Sequence, residues 1–230
     1  QGGFASLLQP GVRRILFVCC TLQAFQQLCG VNAIVYFTPQ ILAGCGVVKL
    51  FEGWGVSALH APMYATILAY LPKIPTAFLT GYLIDRLGRR QLLMLFTPLL
   101  ALTLAALTLS FGGTSIFSAA VATTAVMLFG VFFGLSLGPL PNIVASELYP
   151  THARSAGVAA STGVQFACNA FVVAAFPIFR SALGEQATLA SFAALSTLAW
   201  LFVIRFIPET KGQTLEAISS SAGKDKAPKD

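Results

Sequence analysis

The chain has 230 residues, of which 56% are hydrophobic and 10% are charged, and its net charge is +6. Soluble domains average about 25% charged residues. This composition therefore excludes an ordinary soluble domain and predicts an all-α protein that crosses a lipid bilayer several times. The five cysteines have no metal-ligand spacing, so neither a metal site nor a cofactor is predicted.

Six apolar segments are long enough to span a membrane: residues 13–38, 62–84, 91–111, 118–146, 155–179 and 188–207. They predict a six-helix transmembrane bundle over residues 13–207, between a lead-in of residues 1–12 and a polar tail of residues 208–230. An even number of spans places both ends of this chain on the same side of the membrane.

The basic residues divide unequally between the two sides. The side that holds both ends carries eleven of them: Arg13, Arg14, Arg86, Arg89, Arg90, Arg154, Arg205, Lys211, Lys224, Lys226 and Lys229. The opposite loops carry Lys49 and Arg180. Because cytosolic loops are enriched in lysine and arginine, both ends are predicted to be cytosolic. The positive charge is therefore interpreted as membrane topology, and no nucleic-acid partner is predicted.

The first span contains a stripe of amides. Gln23, Gln26, Gln27 and Gly30 are spaced at i, i+3, i+4 and i+7, which places them on one face of a helix. Amides are costly in lipid, so this face must meet a protein interior or a wet cavity. An amide donates and accepts hydrogen bonds without carrying charge, which suits a polyhydroxylated neutral solute. The stripe predicts part of a translocation path for a sugar.

Gly30 is a weak point in the same helix. Unwinding there would shift the helical phase, so that Asn32 and Tyr36, which lie one turn apart, join the glutamines around one ligand. The alternative is a network of hydrogen bonds between helices that never meets a solute, which is common in membrane bundles.

The fourth span contains a proline pair. Pro139 and Pro141 leave the carbonyls of Leu135 and Leu137 without their usual helical partners. We therefore expect a bend or a break, and Asn142 offers a further amide beside it. Transporters build binding sites and hinges at such interruptions, although a static kink would leave the same pattern.

The fifth span has a second polar patch. Gln165 and Asn169 lie one helical turn apart, and Phe166 lies beside them. The pattern is a second amide patch, with an aromatic ring placed to stack on a sugar ring.

A charged turn joins the second and third spans and contains one acid and three arginines: Asp85, Arg86, Arg89 and Arg90. The simplest interpretation is that the positive charge of this turn fixes the orientation of the two spans in the membrane. The acid among arginines also predicts ion pairs with other cytosolic groups, for which Glu147 and Glu209 are the candidates. Glu147 and Arg154 lie seven residues apart around the next cytosolic turn.

Lys73 lies about 12 residues, or about 18 Å of helix, from the Asp85 turn. Since half of the hydrocarbon core is about 15 Å thick, this position is near the middle of the membrane. Thr76 and Thr80 share its helix face. We predict that Lys73 lines a central cavity and tunes substrate recognition or proton coupling, and the alternative is a lysine nearer the membrane surface.

Four motifs follow one another along the chain: QQLCGVNAIVYF, DRLGRR, GPLPN with SELYPTHAR, and PETKG. In this order and spacing they resemble the sugar porter family of the major facilitator superfamily. The resemblance covers nearly the whole chain, but only the C-terminal six-helix half of such a transporter. YFTPQIL, the GPxPN form and DRLGRRQLL are most similar to plant tonoplast monosaccharide transporters.

The resemblance implies transport of a monosaccharide by alternating access, with or without protons, in the vacuolar or plasma membrane. It also implies the N-terminal six-helix half of the same transporter as a partner. It matches Gln26, Gln27, Asn32 and Asn169 to sugar-binding positions. It matches Arg89, Glu147, Arg154 and Glu209 to a cytosolic charge network that closes the inner side in the outward-open state.

The chain departs from the family pattern at four positions. Many members have tryptophan where this chain has Asn142 and Phe166, and an acidic residue where it has Gly134. Lys73 falls at or near a position often occupied by asparagine.

The predicted substrate-binding residues are Gln26, Gln27, Asn32, Tyr36, Lys73, Asn142, Phe166 and Asn169. The predicted gating residues are Asp85, Arg86, Arg89, Arg90, Glu147, Arg154 and Glu209.

Two other functions compete with transport. A transport-inactive sugar sensor would keep the amides and signal through a cytosolic extension. A membrane enzyme is disfavoured because no span contains an acid–base pair, a nucleophile triad or a metal cluster.

Overall fold

The computed structural model describes residues 3–51, 55–113 and 115–208. Within these ranges a 3-10 helix at Phe4–Leu8 is followed by α1 (Pro10–Leu28), α2 (Val31–Gly44), α3 (Val48–Phe51), α4 (Ala61–Tyr70), α5 (Lys73–Leu87), α6 (Arg89–Ser110), α7 (Ile116–Leu135), α8 (Leu140–Leu148), α9 (Arg154–Leu183) and α10 (Glu185–Phe206). The predicted tail, with Glu209 and most of the PETKG motif, lies outside the described residues.

Six helical stretches are long and apolar enough to cross a membrane: Pro10–Gly44, Ala61–Leu87, Arg89–Ser110, Ile116–Leu148, Arg154–Leu183 and Glu185–Phe206. The prediction of a six-helix transmembrane bundle is thus confirmed. Each stretch starts up to three residues before the predicted segment, because charged residues such as Arg89 and Glu185 continue the helix while lowering the local hydropathy. The predicted lead-in contains the Phe4–Leu8 helix, which packs against α1 and α9.

The first span is divided at Gly30, as predicted. Gly30 has a left-handed backbone with φ of +81° and separates α1 from α2. A Cβ atom at this position would lie 2.5 Å from the ring of Phe192. Both the backbone angle and the close approach therefore require glycine here.

The fourth span is divided between α7 and α8, so the predicted break is also confirmed. The amide of Gly138 donates to the carbonyl of Phe133 at 2.8 Å, which closes a tight turn before Pro139. A Cβ at Gly138 would lie 2.9 Å from that same carbonyl oxygen. The chain therefore leaves the regular helical hydrogen-bond pattern at a point where two prolines already weaken the helix.

The second span has a break that the sequence analysis missed. It was predicted as one helix over residues 62–84, whereas α4 ends at Tyr70 and α5 begins at Lys73. Pro72 has no N–H to donate to the carbonyl of Leu68, and Pro75 is accommodated in the first turn of α5. The interruption therefore lies at the middle of the span, immediately before Lys73.

The divided spans lie together in the bundle. The α1–α2 span packs against α4, α7, α8, α9 and α10, while α6 packs along α7 and α10. Two spans are much less buried than the others: 22% of the apolar window of Ala61–Leu87 and 11% of that of Arg154–Leu183 are buried, compared with 39% or more elsewhere. The surfaces of these two spans are therefore the most open to lipid or to another protein.

Candidate functional site

The amide face of α1 meets the break between α7 and α8. Gln23 donates through Nε2 to Oδ1 of Asn142 at 2.8 Å, and Gln26 donates through Nε2 to the carbonyl oxygen of Gly138 at 2.6 Å. Both glutamines are buried. The sequence analysis therefore predicted the correct face of α1, and the break supplies the groups that this face binds.

Asn32 lies on the other side of the Gly30 break and bridges two spans. Its Nδ2 donates to Oε1 of Gln27 and to Oδ1 of Asn169, in both cases at 2.8 Å. Unwinding at Gly30 thus brings Asn32 to the glutamine stripe, as predicted. These bonds and those of Gln23 and Gln26 define what we call the amide cluster: Gln23, Gln26, Gln27, Asn32, Asn142, Asn169 and the carbonyl of Gly138.

Two acceptors of the amide cluster are unsatisfied. The Oε1 atoms of Gln23 and Gln26 are buried and have no hydrogen-bond partner in the part of the chain that the structure describes. An unsatisfied buried acceptor costs about 1–3 kcal/mol. Both atoms are closed off from the surface. The cluster therefore holds unused hydrogen-bonding capacity at a helix break.

Lys73 is the first residue of α5 and borders a cavity of about 400 Å³, which we call the Lys73 cavity. Thr80, Gly134, Gly138 and Pro139 also line it. Thr80 is buried and donates to the carbonyl of Gly134 at 3.0 Å, whereas Lys73 is exposed. Gly138 belongs to both the amide cluster and the cavity wall, so the two sites share the break between α7 and α8.

Two predicted ligands lie apart from the amide cluster. The side chain of Tyr36 is 59% exposed, and among the described residues no hydrogen bond joins it to the cluster. Phe166 is 64% exposed and borders a second, wide cavity of about 830 Å³, together with Arg154. The structure therefore does not bring these two aromatic rings to the amides.

An ion pair between two partly buried side chains joins the charged turns. Nη2 of Arg89 lies 2.9 Å from Oε1 of Glu147, and Nε of Arg89 donates to the same oxygen at 3.0 Å. The side chains are 19% and 24% exposed. This pair joins the start of α6 to the end of α8, so an arginine of the charged turn pairs with Glu147, one of its two candidate partners.

The other predicted gating residues make separate contacts. Arg86 stacks on the ring of Tyr82 at 4.7 Å, and Arg90 donates to the carbonyl of Ile204 at 3.1 Å. Asp85 is exposed, and no ion pair to it is found within the described ranges. We call the end of the bundle that holds these side chains, with Arg13, Arg14, Arg89, Arg154 and Arg205, the arginine-rich end.

Arg154 does not form the main ion pair. Its Nε donates to the carbonyl of Tyr149 at 3.4 Å, and its Nη2 is buried without a hydrogen-bond partner among residues 3–51, 55–113 and 115–208. The predicted partner Glu209 lies outside the described residues. Arg154 thus has an unused donor at the wide cavity.

Tyr149 is an anchor that the sequence analysis missed. Ser161 donates to the carbonyl of Gly157 at 2.8 Å, so the Tyr149 hydroxyl is the donor of the 2.9 Å bond to Ser161. A Cβ at Gly157 would lie 2.4 Å from the Tyr149 ring. Burial raises the pKa of the Tyr149 phenol, which stays neutral. The spacing of Tyr149, Gly157 and Ser161 does not mark a contact in the sequence, so this anchor is visible only in the packing of the structure.

The fold and this polar interior define a membrane protein built from a bundle of six spans, three of which are interrupted. The family described as "Sugar (and other) transporter" matches residues 3–221, so the chain belongs to this family and is an integral, multi-pass membrane protein. The predicted membership of the sugar porter family is confirmed.

Two known proteins are similar to this chain over nearly its whole length. Monosaccharide-sensing protein 1 of Arabidopsis thaliana is 35% identical over 218 residues, which cover 94% of this chain and 30% of that protein. The galactose-proton symporter of Escherichia coli (strain K12) is 31% identical over 221 residues, covering 95% of this chain and 46% of that one. This chain therefore spans less than half the length of these relatives.

A solved structure has the same fold. The proton:xylose symporter XylE of the major facilitator superfamily, bound to 6-bromo-6-deoxy-D-glucose, superposes with a TM-score of 0.75 at 23% identity. The match covers 94% of this chain and 46% of that chain. The chain thus has the fold of one half of such a transporter, as predicted.

Proposed function

We propose that this chain is the C-terminal half of a secondary transporter for monosaccharides. The observation that carries the proposal is the amide cluster, in which uncharged donors and acceptors gather at two helix breaks near the middle of the bundle. The bonds between these neutral groups can be exchanged for bonds to sugar hydroxyls, and two of the amide oxygens have no partner among the described residues. Family membership supports the same conclusion.

The sugar contacts we propose are Gln26, Gln27, Asn32, Asn142 and Asn169, with Lys73, Tyr36 and Phe166 at the border of the path. The unsatisfied Oε1 of Gln26 supports a role for the cluster, because a sugar hydroxyl would remove the cost of burying it. Tyr36 and Phe166 are exposed, so they would meet a sugar only in the complete transporter.

The partner that we propose for this half is the N-terminal six-helix half of the same transporter. The low burial of Ala61–Leu87 and Arg154–Leu183 supports this, because these spans leave large apolar side chains such as Phe78 and Phe171 uncovered. The two halves would rock about a sugar at the midplane.

We further propose that the arginine-rich end is cytosolic and acts as a state lock. The excess of lysine and arginine on that side supports the orientation. An ion pair between elements is suited to a lock, because it stabilises only the state in which its partners meet. Arg89, Glu147, Arg154 and Glu209 would form the lock, flanked by Asp85, Arg86 and Arg90. The membrane is the vacuolar or the plasma membrane.

The test is hexose uptake by the full-length protein in sealed vesicles, with and without a proton gradient. Saturable uptake is expected, and a dependence on the gradient would assign proton coupling. Hexose binding without any uptake would instead support the sensor. A folded protein that neither binds nor transports any monosaccharide would refute the proposal.

A further inference from the structure

Lys73 places a cation at an unusual depth. It lies beside the midpoint of the span Ala61–Leu87, at the break that Pro72 creates between α4 and α5. Lysine within a membrane span is expensive and generally faces a cavity or a counter-charge. The Lys73 cavity meets the first condition, since the residue borders it together with Thr80 and Gly138.

The described part of the chain offers no counter-charge at that depth. Its acids lie at the ends of the spans: Glu147 pairs with Arg89, Glu185 pairs with Arg180, and Asp85 lies one turn from the end of α5. The remaining acids of the sequence, at positions 52, 209, 216, 225 and 230, fall outside the six spans. A negative charge that pairs with Lys73 would therefore come from another molecule or from another part of the protein.

The Lys73 cavity and the amide cluster share one residue, Gly138. Gly138 lines the cavity, and its carbonyl oxygen accepts the hydrogen bond of Gln26. A solute in the cavity therefore has Lys73 on one wall and, at Gly138, the backbone group that holds Gln26 of the amide cluster. The cavity volume of about 400 Å³ falls in the range of small-molecule sites, about 300–1,000 Å³.

We propose that the site selects monosaccharides that carry a carboxylate, such as hexuronates, and that the Lys73 ammonium binds this carboxylate. The inference rests on the proposed transport function and names its substrate class. Lys73 is the one ionisable residue among the described residues that line the cavity. One fixed positive charge matches a monoanion, whereas a dianionic sugar phosphate would leave a negative charge unpaired in a low dielectric.

The experiment compares two sugars that differ only at C6, D-glucose and D-glucuronate, as competitors for uptake by the full-length protein in vesicles. The variants are Lys73→Met and Lys73→Gln, which remove the charge, and Lys73→Arg, which keeps it. Lys49→Met is the matched control, because Lys49 lies in α3 outside the spans. Expression and thermal unfolding of each variant establish that it is folded.

We expect the wild type to prefer glucuronate by about tenfold or more, as for a hydrogen bond to a charged group. The neutral variants should lose that preference, Lys73→Arg should keep part of it, and Lys49→Met should keep all of it. Equal affinity for the two sugars in the wild type, or a preference that survives in both neutral variants, would overturn the inference and leave monosaccharide transport standing. If neither sugar is taken up or bound, both the inference and the proposed function fail. A lysine that pairs with an acid of the N-terminal half predicts the first of these results, equal affinity for the two sugars in the wild type, because its charge is then already paired.

Discussion

The amide cluster lies where two interrupted spans meet in the middle of the bundle, whereas the Arg89–Glu147 pair joins the ends of two spans at the arginine-rich end. In the cluster, each bond between neutral groups can be replaced by a bond to a hydroxyl group at similar energy. The ion pair has no such substitute, and it is strong only while its two helices stay together. The amide cluster is therefore suited to exchanging ligands, whereas the Arg89–Glu147 pair is suited to stabilising one conformation of the bundle.

The largest effect should come from removing the break that shapes the amide cluster. Gly30→Ala forces a Cβ against Phe192 and strains a backbone with φ of +81°. We expect a loss of about 2–4 kcal/mol from strain and overpacking, seen as reduced expression and a lower unfolding temperature. Gly11→Ala is the control, because a Cβ there meets nothing within 4 Å. Equal stability of both variants would show that the break is not required.

The next largest effect should come from Asn32, which holds the cluster together across the break. Asn32→Ala removes the donors to Gln27 and Asn169 and should weaken monosaccharide binding by about 1–3 kcal/mol. Gln27→Ala should act in the same direction. Gln40→Ala is the control, since Gln40 is an exposed amide on the same helix α2. Binding isotherms of the purified full-length variants measure this, and unchanged affinity in Asn32→Ala would remove the basis for the site.

The amide cluster also shows how far sequence reasoning reaches. The periodicity of Gln23, Gln26 and Gln27 and the weakness at Gly30 are local properties, so the correct face and break could be predicted. The contact between Asn32 and Asn169 depends on how the first and fifth spans pack, which no local pattern encodes. The break at Pro72 had a visible signal in Pro72 and Pro75, but the apolar residues on both sides of this segment favoured one continuous span.

A smaller effect is expected at the arginine-rich end. Arg89→Ala and Glu147→Gln each remove half of a partly exposed ion pair, which contributes about 1 kcal/mol and shifts a two-state equilibrium several-fold. A cysteine introduced at Ser155, on the wide cavity, should therefore become more accessible to reagents from that side. The exposed Arg13 provides the control in Arg13→Ala. The lock is disproved if labelling rates stay the same while transport remains normal.

An effect of about the same size should come from the Tyr149 anchor. Tyr149→Phe removes the hydroxyl that donates to Ser161 and should lower stability by about 1 kcal/mol, measured by thermal unfolding. Tyr64→Phe should change nothing, because Tyr64 is 51% exposed. A larger change in sugar affinity than in stability would mean that Tyr149 belongs to the site and not to the scaffold.

The central claim is that the amide cluster is the monosaccharide site, and the most direct test is a structure of the full-length protein with a bound monosaccharide. The account predicts that sugar hydroxyls lie within hydrogen-bonding distance of Gln26, Gln27, Asn32 or Asn169, with the bonds between these amides broken or lengthened. A sugar bound only in the wide cavity between Arg154 and Phe166, with the amide cluster unchanged, would contradict it.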